Sequence, residues 1–354
     1  MAKFHPLKIA KIRKETDDCV SISFDIPEDL ESEFRFVQGQ HLTLKKTIND
    51  TDVSRSYSIC SSPSEEVLRV AIKKVTGGQF STHANDLLTE GETIEVMPPS
   101  GHFSANLAPD QENSYLMIAA GSGITPIISN IKAILEVEPK SRVTLFYGNR
   151  GSESIIFLEE LEAIKNKYLS RFSVYHFFSR ESSDNDLFNG RINSEKLLEA
   201  KAFIDYDSVD HAFICGPEEM MADTSEGLKK LAIPEDHIHL ELFTSPVGKL
   251  GQSDGKKASQ QVDSNITIIL DGSKYKFPLD SKQSLLDVAN RHGADLPFSC
   301  KGGVCSTCKA MLLEGEVEMT YNYALEPDEV KAGYILTCQS HPITENIVIS
   351  FDNG

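Results

Sequence analysis

Four cysteines near the end of the chain are spaced as ligands of an iron–sulfur cluster. Cys300, Cys305 and Cys308 follow the pattern C-x4-C-x2-C, and Cys338 comes later in the sequence. This is a spacing with which four thiolates hold a 2Fe–2S cluster. Two glycines lie between the first two cysteines, so the backbone of this loop can fold around a cluster and direct N–H groups at the sulfurs. We therefore predict that these four cysteines bind the metal.

Two other uses of clustered cysteines fit this spacing less well. A structural zinc site usually has two C-x2-C pairs, whereas here one interval is C-x4-C and the last cysteine stands alone. Disulfides are not expected, because the first residues lack the apolar segment of a secretion signal. The other cysteines, Cys19, Cys60 and Cys215, are odd in number, which fits a reducing compartment. A one-electron centre needs an electron source, which the rest of the chain should supply.

The composition is that of an ordinary globular protein. The chain has 354 residues, of which 40% are hydrophobic and 25% charged, enough for two or three domains with their own cores. The net charge of −18 disfavours nucleic-acid binding. No apolar run approaches the roughly 18 residues of a membrane-spanning helix. The sequence predicts a cytoplasmic protein that binds no nucleic acid and does not insert into a membrane.

Changes in sequence pattern divide the chain into predicted domains. Residues 1–108 contain regularly spaced short strands, typical of a small antiparallel β-barrel. Residues 109–246 alternate between strands and helices, which indicates an α/β domain with a parallel sheet. Residues 247–262 are rich in Gly, Ser, Gln and Lys and are interpreted as a linker. The cysteine motif lies in the last predicted domain, residues 263–354.

Two motifs in the first predicted domain could bind a flat, phosphate-bearing cofactor. Arg55 and Tyr57 can place a cation on a phosphate and an aromatic face against a ring. Gly78 leads into a predicted helix that contains Ser81 and ends near Leu88, and glycines before a helix N-terminus favour an anion site. Each pattern alone is more often a strand alternation or a turn. The predicted 2Fe–2S centre favours the functional interpretation, since it needs a flavin-like donor.

The second predicted domain opens with a nucleotide-binding pattern. A buried strand over residues 115–120 runs into Gly121 and Gly123, and a helix is predicted over residues 127–135. Strand, glycine turn and helix together form the phosphate-binding start of a dinucleotide fold. Pro126 stands where the usual third glycine would be, so this is not the standard NAD fingerprint.

Three further residues follow predicted strands of this domain. Arg150 comes after a strand over 143–147 and Arg180 after a strand over 173–178. Arginine at this edge favours the 2′-phosphate of NADP, whereas an acidic residue favours NAD. Both arginines could equally be solvated loop residues. Cys215 ends another strand, at the edge where ligands bind, and could equally be a small buried hydrophobic residue.

Together these motifs resemble those of ferredoxin–NADP reductase-type flavoproteins followed by a plant-type ferredoxin domain. The resemblance covers nearly the whole chain. It is carried by Arg55-x-Tyr57-Ser58, Gly78-x-x-Ser81, Gly121-x-Gly123-x-Thr125-Pro126, Cys215-Gly216-Pro217 and the four cysteines. Within this family the chain most resembles the reductase subunits of phenylacetyl-CoA epoxidases, notably at Gly39–Leu44, Ala119–Pro126, Ala212–Pro217, Ala294–Pro297, Cys300–Cys308 and Asn322–Glu329.

The resemblance implies three cofactors: FAD, NADPH and a 2Fe–2S cluster. It implies a β-grasp fold for the ferredoxin domain and catalytic roles for Tyr57, Ser58 and Cys215. Arg55 would bind the flavin phosphate, Tyr57 would pack on the isoalloxazine, and Ser58 would hydrogen-bond near its N5. The remaining implied contacts are Gly78 and Ser81 with the pyrophosphate, Gly121, Gly123, Thr125, Cys215, Gly216 and Pro217 with the nicotinamide nucleotide, Arg150 with its 2′-phosphate, and Glu241 and Phe243 closing the flavin site. Arg180 is a candidate second phosphate ligand only from its position after a strand.

The implied function is that of an NADPH-dependent reductase in phenylacetate catabolism. It would pass electrons through FAD and the cluster to an oxygenase partner, expected to be a di-iron phenylacetyl-CoA epoxidase. Residues 263–354 contain 13 acidic and 7 basic residues, which could favour a basic partner or simply solubility. Two alternatives stay open: the same architecture serving a ring-hydroxylating oxygenase, a hybrid-cluster protein or a quinone, and a non-enzymatic redox-sensing cluster protein. The intact flavin and nucleotide motifs argue against the second.

Overall fold

The computed structural model describes residues 3–243, 264–279, 283–294 and 296–352. The predicted linker, residues 247–262, lies outside the described residues. The described chain forms three main sheets in sequence order: an antiparallel, a parallel and a mixed sheet. The boundary predicted at residue 108 falls between the first two sheets. No helix among the described residues is both long and apolar enough to cross a membrane.

The antiparallel sheet has six strands in the order β4-β3-β6-β1-β2-β5. Its elements are β1 (His5–Thr16), β2 (Cys19–Asp25), β3 (His41–Ile48), β4 (Thr51–Ser58), β5 (Leu68–Lys73), helix α1 (Gln79–Asp86) and β6 (Thr93–Val96). Alternate residues of these strands form one apolar core with α1. A bridge between Ile59 and Val70 links the chain just after β4 to β5. The predicted antiparallel architecture is confirmed, and closure into a barrel stays a prediction.

The parallel sheet has five strands in the order β11-β10-β7-β8-β9. Its elements are β7 (Ser114–Ala120), α2 (Ile124–Val137), β8 (Arg142–Asn149), α3 (Leu158–Lys167), β9 (Phe172–Phe178), α4 (Ser194–Glu199), β10 (His211–Cys215), α5 (Glu218–Lys230) and β11 (Ile238–Glu241). The strand order reverses between β7 and β10, and ligands of open α/β sheets bind at such a reversal. The predicted α/β domain is confirmed.

Helix α2 begins earlier than the sequence predicts. The expected start was residue 127, but the helix begins at Ile124 and includes Pro126 in its first turn. The first N–H groups of a helix have no partner within it, so a proline there removes no hydrogen bond. The helix therefore starts directly at the glycine turn.

The mixed sheet has five strands in the order β13-β12-β18-β14-β16, with a separate β15–β17 pair. Its elements are β12 (Ser264–Leu270), β13 (Ser273–Leu279), α6 (Leu285–Arg291), β14 (Lys309–Glu314), β15 (Val317–Met319), α7 (Pro327–Lys331), β16 (Tyr334–Leu336), β17 (Ser340–Pro342) and β18 (Asn346–Ser350). The apolar face of α6 and the inner residues of the sheet share a core. This is the predicted α+β arrangement.

The antiparallel and parallel sheets are joined by a buried contact of α2. Lys132 of α2 forms an ion pair with Glu160 and donates to the carbonyl oxygen of Cys60 at 3.2 Å. Arg69 of β5 reaches the same Glu160 carboxylate at 2.8 Å. Ser129 donates to the carbonyl oxygen of Ser61 at 2.7 Å. Because these charges are paired in a largely buried contact, we expect the two sheets to behave as one unit.

Candidate functional site

The cysteine-rich loop between α6 and β14 carries Cys300, Cys305 and Cys308, Cys338 follows β16, and the four sulfurs lie in two pairs. The Cys300 side chain is hydrogen-bonded to that of Cys305, and the Cys308 side chain to that of Cys338. The backbone N–H of Cys300 donates to the Cys305 sulfur at 3.4 Å, and that of Gly302 donates to the Cys300 sulfur at 3.3 Å. The structure thus places the four predicted ligands in two pairs, with N–H groups directed at the sulfurs of Cys300 and Cys305.

Left-handed backbone conformations give this loop its tight curvature. Lys301, Gly303 and Ser306 have φ values of 52°, 77° and 48°. A Cβ on Gly303 would lie 2.8 Å from the carbonyl oxygen of Tyr321, so only glycine fits there. Non-glycine residues in this conformation are uncommon and often mark functional loops.

The donor set suits a cluster with two iron atoms. Four thiolates are the usual ligand set of such a cluster, and Cys300, Cys305, Cys308 and Cys338 would supply them. The hydrogen bond from Cys300, with further ones from Thr307 and the backbone, holds the pKa of Cys305 well below its usual range. The thiolate is the form of cysteine that binds metal.

The predicted flavin residues lie on β4 and point to opposite faces of the antiparallel sheet. Arg55 and Tyr57 share the face of the apolar core, and Ser58 lies on the other face. The Arg55 side chain is exposed to solvent, and its guanidinium donates to the carbonyl oxygen of Ser54 at 2.7 Å. The Tyr57 ring lies 5.6 Å from that of Phe80 on α1. The guanidinium thus remains available for a phosphate.

The glycine before α1 is closely packed against Ser81. A Cβ on Gly78 would lie 2.5 Å from Oγ of Ser81, which accepts a hydrogen bond from the N–H of Val75 at 3.1 Å. No side chain caps the first turn of α1. Its N–H groups are therefore available to an anion, in keeping with the predicted pyrophosphate site.

The glycine turn after β7 packs against the end of β10. Gly121 has a φ of 54°, and its carbonyl oxygen accepts a hydrogen bond from the Tyr147 hydroxyl at 3.0 Å. Thr125 donates to the carbonyl oxygen of Ser122 at 3.0 Å. A Cβ on Gly123 would lie 2.1 Å from the carbonyl oxygen of Cys215. The turn therefore sits at the point where the strand order reverses, as expected for a nucleotide-binding loop.

Cys215, Glu241 and Ser58 come together from three strands. Cys215 and Glu241 are register partners on the parallel strands β10 and β11, and Ser58 donates to the Glu241 carboxylate at 3.3 Å. Burial raises the pKa of Glu241 to about 8, against a smaller opposing effect of Ser58. Burial also raises the pKa of the Cys215 thiol well above its usual value. Both groups are therefore mainly protonated at neutral pH.

Strand β11 was not predicted from the sequence. Its residues, with His237 before them, read His-Ile-His-Leu-Glu, and this alternation of polar and apolar residues is typical of a strand. The strand places Glu241 beside Cys215, whereas the family resemblance indicated only loosely that Glu241 closes the flavin site.

Arg150 and Arg180 lie next to each other beyond the carboxyl ends of β8 and β9. The backbone N–H of Arg180 donates to the carbonyl oxygen of Arg150 at 2.9 Å. Both are exposed, and neither guanidinium forms an ion pair within the described ranges. Glu181 is also at this edge, where its carboxylate accepts a hydrogen bond from the N–H of Ser152 at 2.7 Å. The arrangement offers cations for a 2′-phosphate, and the choice between NADP and NAD stays a prediction.

A cavity of about 90 Å³ connects the predicted sites. Arg55 and Ser58 contribute from the antiparallel sheet, Glu241 from the parallel sheet, and Cys300 and Cys305 from the cysteine loop. The predicted flavin contacts, the end of the nucleotide domain and the cluster ligands therefore border one space.

Three family models match successive parts of the chain. The oxidoreductase FAD-binding domain matches residues 6–105, the oxidoreductase NAD-binding domain residues 117–226, and the 2Fe-2S iron-sulfur cluster binding domain residues 268–342. The matches follow the order of the three sheets. The chain therefore contains FAD-binding, NAD-binding and 2Fe–2S domains.

Relatives resemble the chain over its full length. One component of the 1,2-phenylacetyl-CoA epoxidase of Escherichia coli strain K12 is 45% identical over 99% of both chains. The ferredoxin reductase component of 3-ketosteroid-9-alpha-monooxygenase from Rhodococcus rhodochrous is 34% identical over 98% of this chain and 96% of its own. Among solved structures, phthalate dioxygenase reductase superposes with a TM-score of 0.59 at 22% identity over 98% of both chains, and this similarity shows the fold.

Proposed function

Because the chain belongs to the family of FAD- and 2Fe–2S-containing reductase components of oxygenases, we propose that it reduces the di-iron oxygenase of a phenylacetyl-CoA epoxidase with electrons from NADPH. That it is an NAD(P)H-dependent electron-transfer oxidoreductase follows from the family. The oxygenase, the di-iron centre and the preference for NADPH are the proposed part. The main support is 45% identity over the full length of an epoxidase component, together with the cavity shared by the three sites.

When bound, FAD would supply hydride acceptance and release of single electrons, and the cluster would supply one-electron transfer. The protein provides binding and orientation. Arg55 would bind the flavin phosphate, Tyr57 would pack on the ring, and the first turn of α1 after Gly78 would bind the pyrophosphate. The other proposed contacts are Ser58 near the flavin ring, Ser81 at the pyrophosphate, Gly121, Gly123, Thr125, Gly216 and Pro217 at the nucleotide, and the four cysteines at the cluster.

Glu241 and Cys215 would keep the reacting region uncharged. With a pKa of about 8, Glu241 holds its proton on a carboxyl oxygen at neutral pH, and Cys215 holds its own on sulfur. A neutral carboxyl beside Ser58 avoids placing a negative charge against a ring that gains electrons. We propose that Cys215 packs against the nicotinamide as a small, uncharged side chain and does not act as a nucleophile.

An anaerobic titration of the purified protein tests the proposed function. NADPH should bleach the flavin absorbance and then produce a rhombic EPR signal of a reduced 2Fe–2S cluster. Addition of the purified oxygenase components of the epoxidase should then support turnover of phenylacetyl-CoA. Flavin reduction without a cluster signal, or a protein without flavin, would contradict the proposal.

A second oxygenase partner is the main alternative. The relative from Rhodococcus rhodochrous is 34% identical over nearly the full chain and is named as part of a 3-ketosteroid monooxygenase. Reductases of one architecture can serve different oxygenases. Turnover with a steroid oxygenase but not with the epoxidase components would favour this alternative.

The cytoplasmic location also stays a proposal. All seven cysteines are free in the structure, which fits a reducing compartment.

Arg150→Ala is expected to weaken NADPH binding selectively. Loss of an exposed guanidinium from the proposed 2′-phosphate site should raise KM for NADPH by about 10-fold, with kcat and the KM for NADH little changed. Steady-state kinetics with both nucleotides measure this. Arg142→Ala is the matched control, because Arg142 is an exposed arginine at the opposite end of β8. Equal effects of Arg150→Ala on both nucleotides would show that Arg150 does not select the phosphate.

Gly123→Ala is expected to slow nucleotide-dependent flavin reduction by roughly 100-fold, because a small misplacement of a binding loop is costly. The added Cβ would lie 2.1 Å from the carbonyl oxygen of Cys215, so the turn must shift. Stopped-flow absorbance of the flavin band measures the rate. Gly148→Ala is the control, since its Cβ would meet Ile192 at an ordinary 3.4 Å. If both variants reduce at the wild-type rate, the turn does not bind the nucleotide.

A further inference from the structure

The outer face of β3 and β4 contacts the cysteine loop through polar side chains. His41 and Thr43 alternate on β3, and Ser56 lies opposite Thr43 on β4. Thr43 contacts the hydroxyl of Thr307 at 2.9 Å, and Ser56 that of Ser299 at 3.0 Å. These contacts join the antiparallel sheet to the mixed sheet directly beside the predicted flavin site.

His41 makes a different contact from its neighbours. Its Nε2 lies 3.0 Å from the carbonyl oxygen of Cys305. A carbonyl oxygen can only accept, so Nε2 carries the proton and donates it. The side chain is 7% exposed, and the hydroxyl of Ser100 lies 3.3 Å from the same nitrogen. Within the described ranges, His41 is the side chain of the antiparallel sheet that hydrogen-bonds to a predicted cluster ligand.

The position of His41 in the sheet connects the two redox sites. His41 is the register partner of Ser58, so the residue expected at the flavin ring and the residue bonded to Cys305 lie directly across from each other. Both side chains line the cavity of about 90 Å³, together with Cys300 and Cys305. His41 therefore links the flavin-binding strand pair to the backbone of a predicted cluster ligand by one hydrogen bond.

We propose that His41 is a positioning residue for electron transfer from the flavin to the cluster. Its hydrogen bond fixes the backbone of Cys305 against the flavin-binding strands, and it provides a bonded path that ends on a predicted cluster ligand. Each transfer removes one electron from the reduced flavin and adds one to the oxidised cluster, while His41 keeps its proton and all its bonds. This inference rests on the proposed function, since it requires both cofactors to be redox partners.

Three variants of the full-length holoprotein test the role of His41. His41→Phe keeps a ring of similar size and removes the donor, and His41→Gln places an amide N–H near the position of Nε2. The control is His102→Ala, which removes another contact between the first and third parts of the chain, the 3.4 Å pair of His102 with Glu329 of α7. This pair involves no cluster ligand. Iron content and the EPR signal of dithionite-reduced protein establish that each variant holds its cluster.

Anaerobic stopped-flow mixing with NADPH separates the two steps. In His41→Phe the flavin should be reduced at the wild-type rate, whereas reduction of the cluster should slow by at least about 10-fold, because tunnelling and positioning both depend steeply on distance. His41→Gln should recover most of the rate, and His102→Ala should match the wild type. A purely structural role would slow both steps or release the cofactors.

Each other outcome is decisive. If His41→Phe reduces its cluster as fast as the wild type, or if His102→Ala is slowed equally, the inference is wrong. Loss of the cluster from His41→Phe, whether or not His41→Gln keeps a full cluster, would also overturn it, because His41 would then be needed to hold the cluster rather than to transmit electrons. Failure of the wild-type cluster to accept electrons from the flavin would instead contradict the proposed function.

Discussion

Cys308→Ser is expected to abolish electron delivery to an oxygenase while leaving the flavin active. Cys308 is 3% exposed and its sulfur pairs with that of Cys338, so a serine there would leave one iron with an incomplete set of soft ligands. Reduction of the oxygenase should fall by roughly 100-fold or more, because even changes in the groups that support a metal ligand cost about 10–100-fold. NADPH-dependent reduction of a dye that takes electrons from the flavin should persist. Iron content, EPR and the two assays measure this.

Cys60→Ala is the matched control for this prediction. Cys60 is also a fully buried cysteine, but its sulfur donates to the carbonyl oxygen of Arg69 within the antiparallel sheet, away from the cysteine loop. Its variant should keep a full 2Fe–2S signal and normal delivery to the oxygenase. A Cys308→Ser protein with an unchanged EPR spectrum would show that Cys308 is not a ligand. Loss of flavin from both variants would mean that the effect is one of folding.

The cluster loop was predictable because its signal is local. Three of its cysteines lie within nine residues, Cys300 to Cys308, so their spacing alone constrains the geometry. The turn at Gly123 was predictable for the same reason, since strand, turn and helix follow one another directly. The start of α2 was predicted too late, because a proline normally opposes a helix and its tolerance in the first turn depends on the exact start.

The junction of the three sheets was not predictable from sequence pattern. His41 and Cys305 are 264 residues apart, and Ser58 and Glu241 are 183 residues apart. These contacts arise when folded sheets pack together, and no periodicity or spacing records which faces will meet. His41 looks like an ordinary strand residue, and Glu241 lies in a short edge strand. The chemistry between sites therefore depends on packing that only the structure reveals.

Glu241→Gln is expected to change how stability depends on pH. The carboxyl of an unfolded chain ionises near 4.5, whereas in the folded protein burial raises the pKa of Glu241 to about 8. Between these values the folded state binds the extra proton, so the stability contributed by Glu241 is fully present below pH 4.5 and is lost as pH rises towards 8. Glutamine cannot ionise, so the variant should not lose this contribution.

The difference between the pKa of Glu241 in the unfolded and in the folded protein limits its contribution to the free energy of unfolding to about 5 kcal/mol. The side chain is only partly buried, so the effect should be smaller than this limit. As the pH rises from 5 to 8.5, the free energy of unfolding of Glu241→Gln should increase relative to that of the wild type by roughly 2–3 kcal/mol. Chemical denaturation of both holoproteins at these pH values measures it, with Glu112→Gln, at an exposed loop glutamate, as the control. Parallel pH profiles of wild type and Glu241→Gln would show that the carboxyl is ionised in the folded protein. In that case Glu241 would place a negative charge beside Ser58, and hydride transfer to the flavin would have to proceed against it.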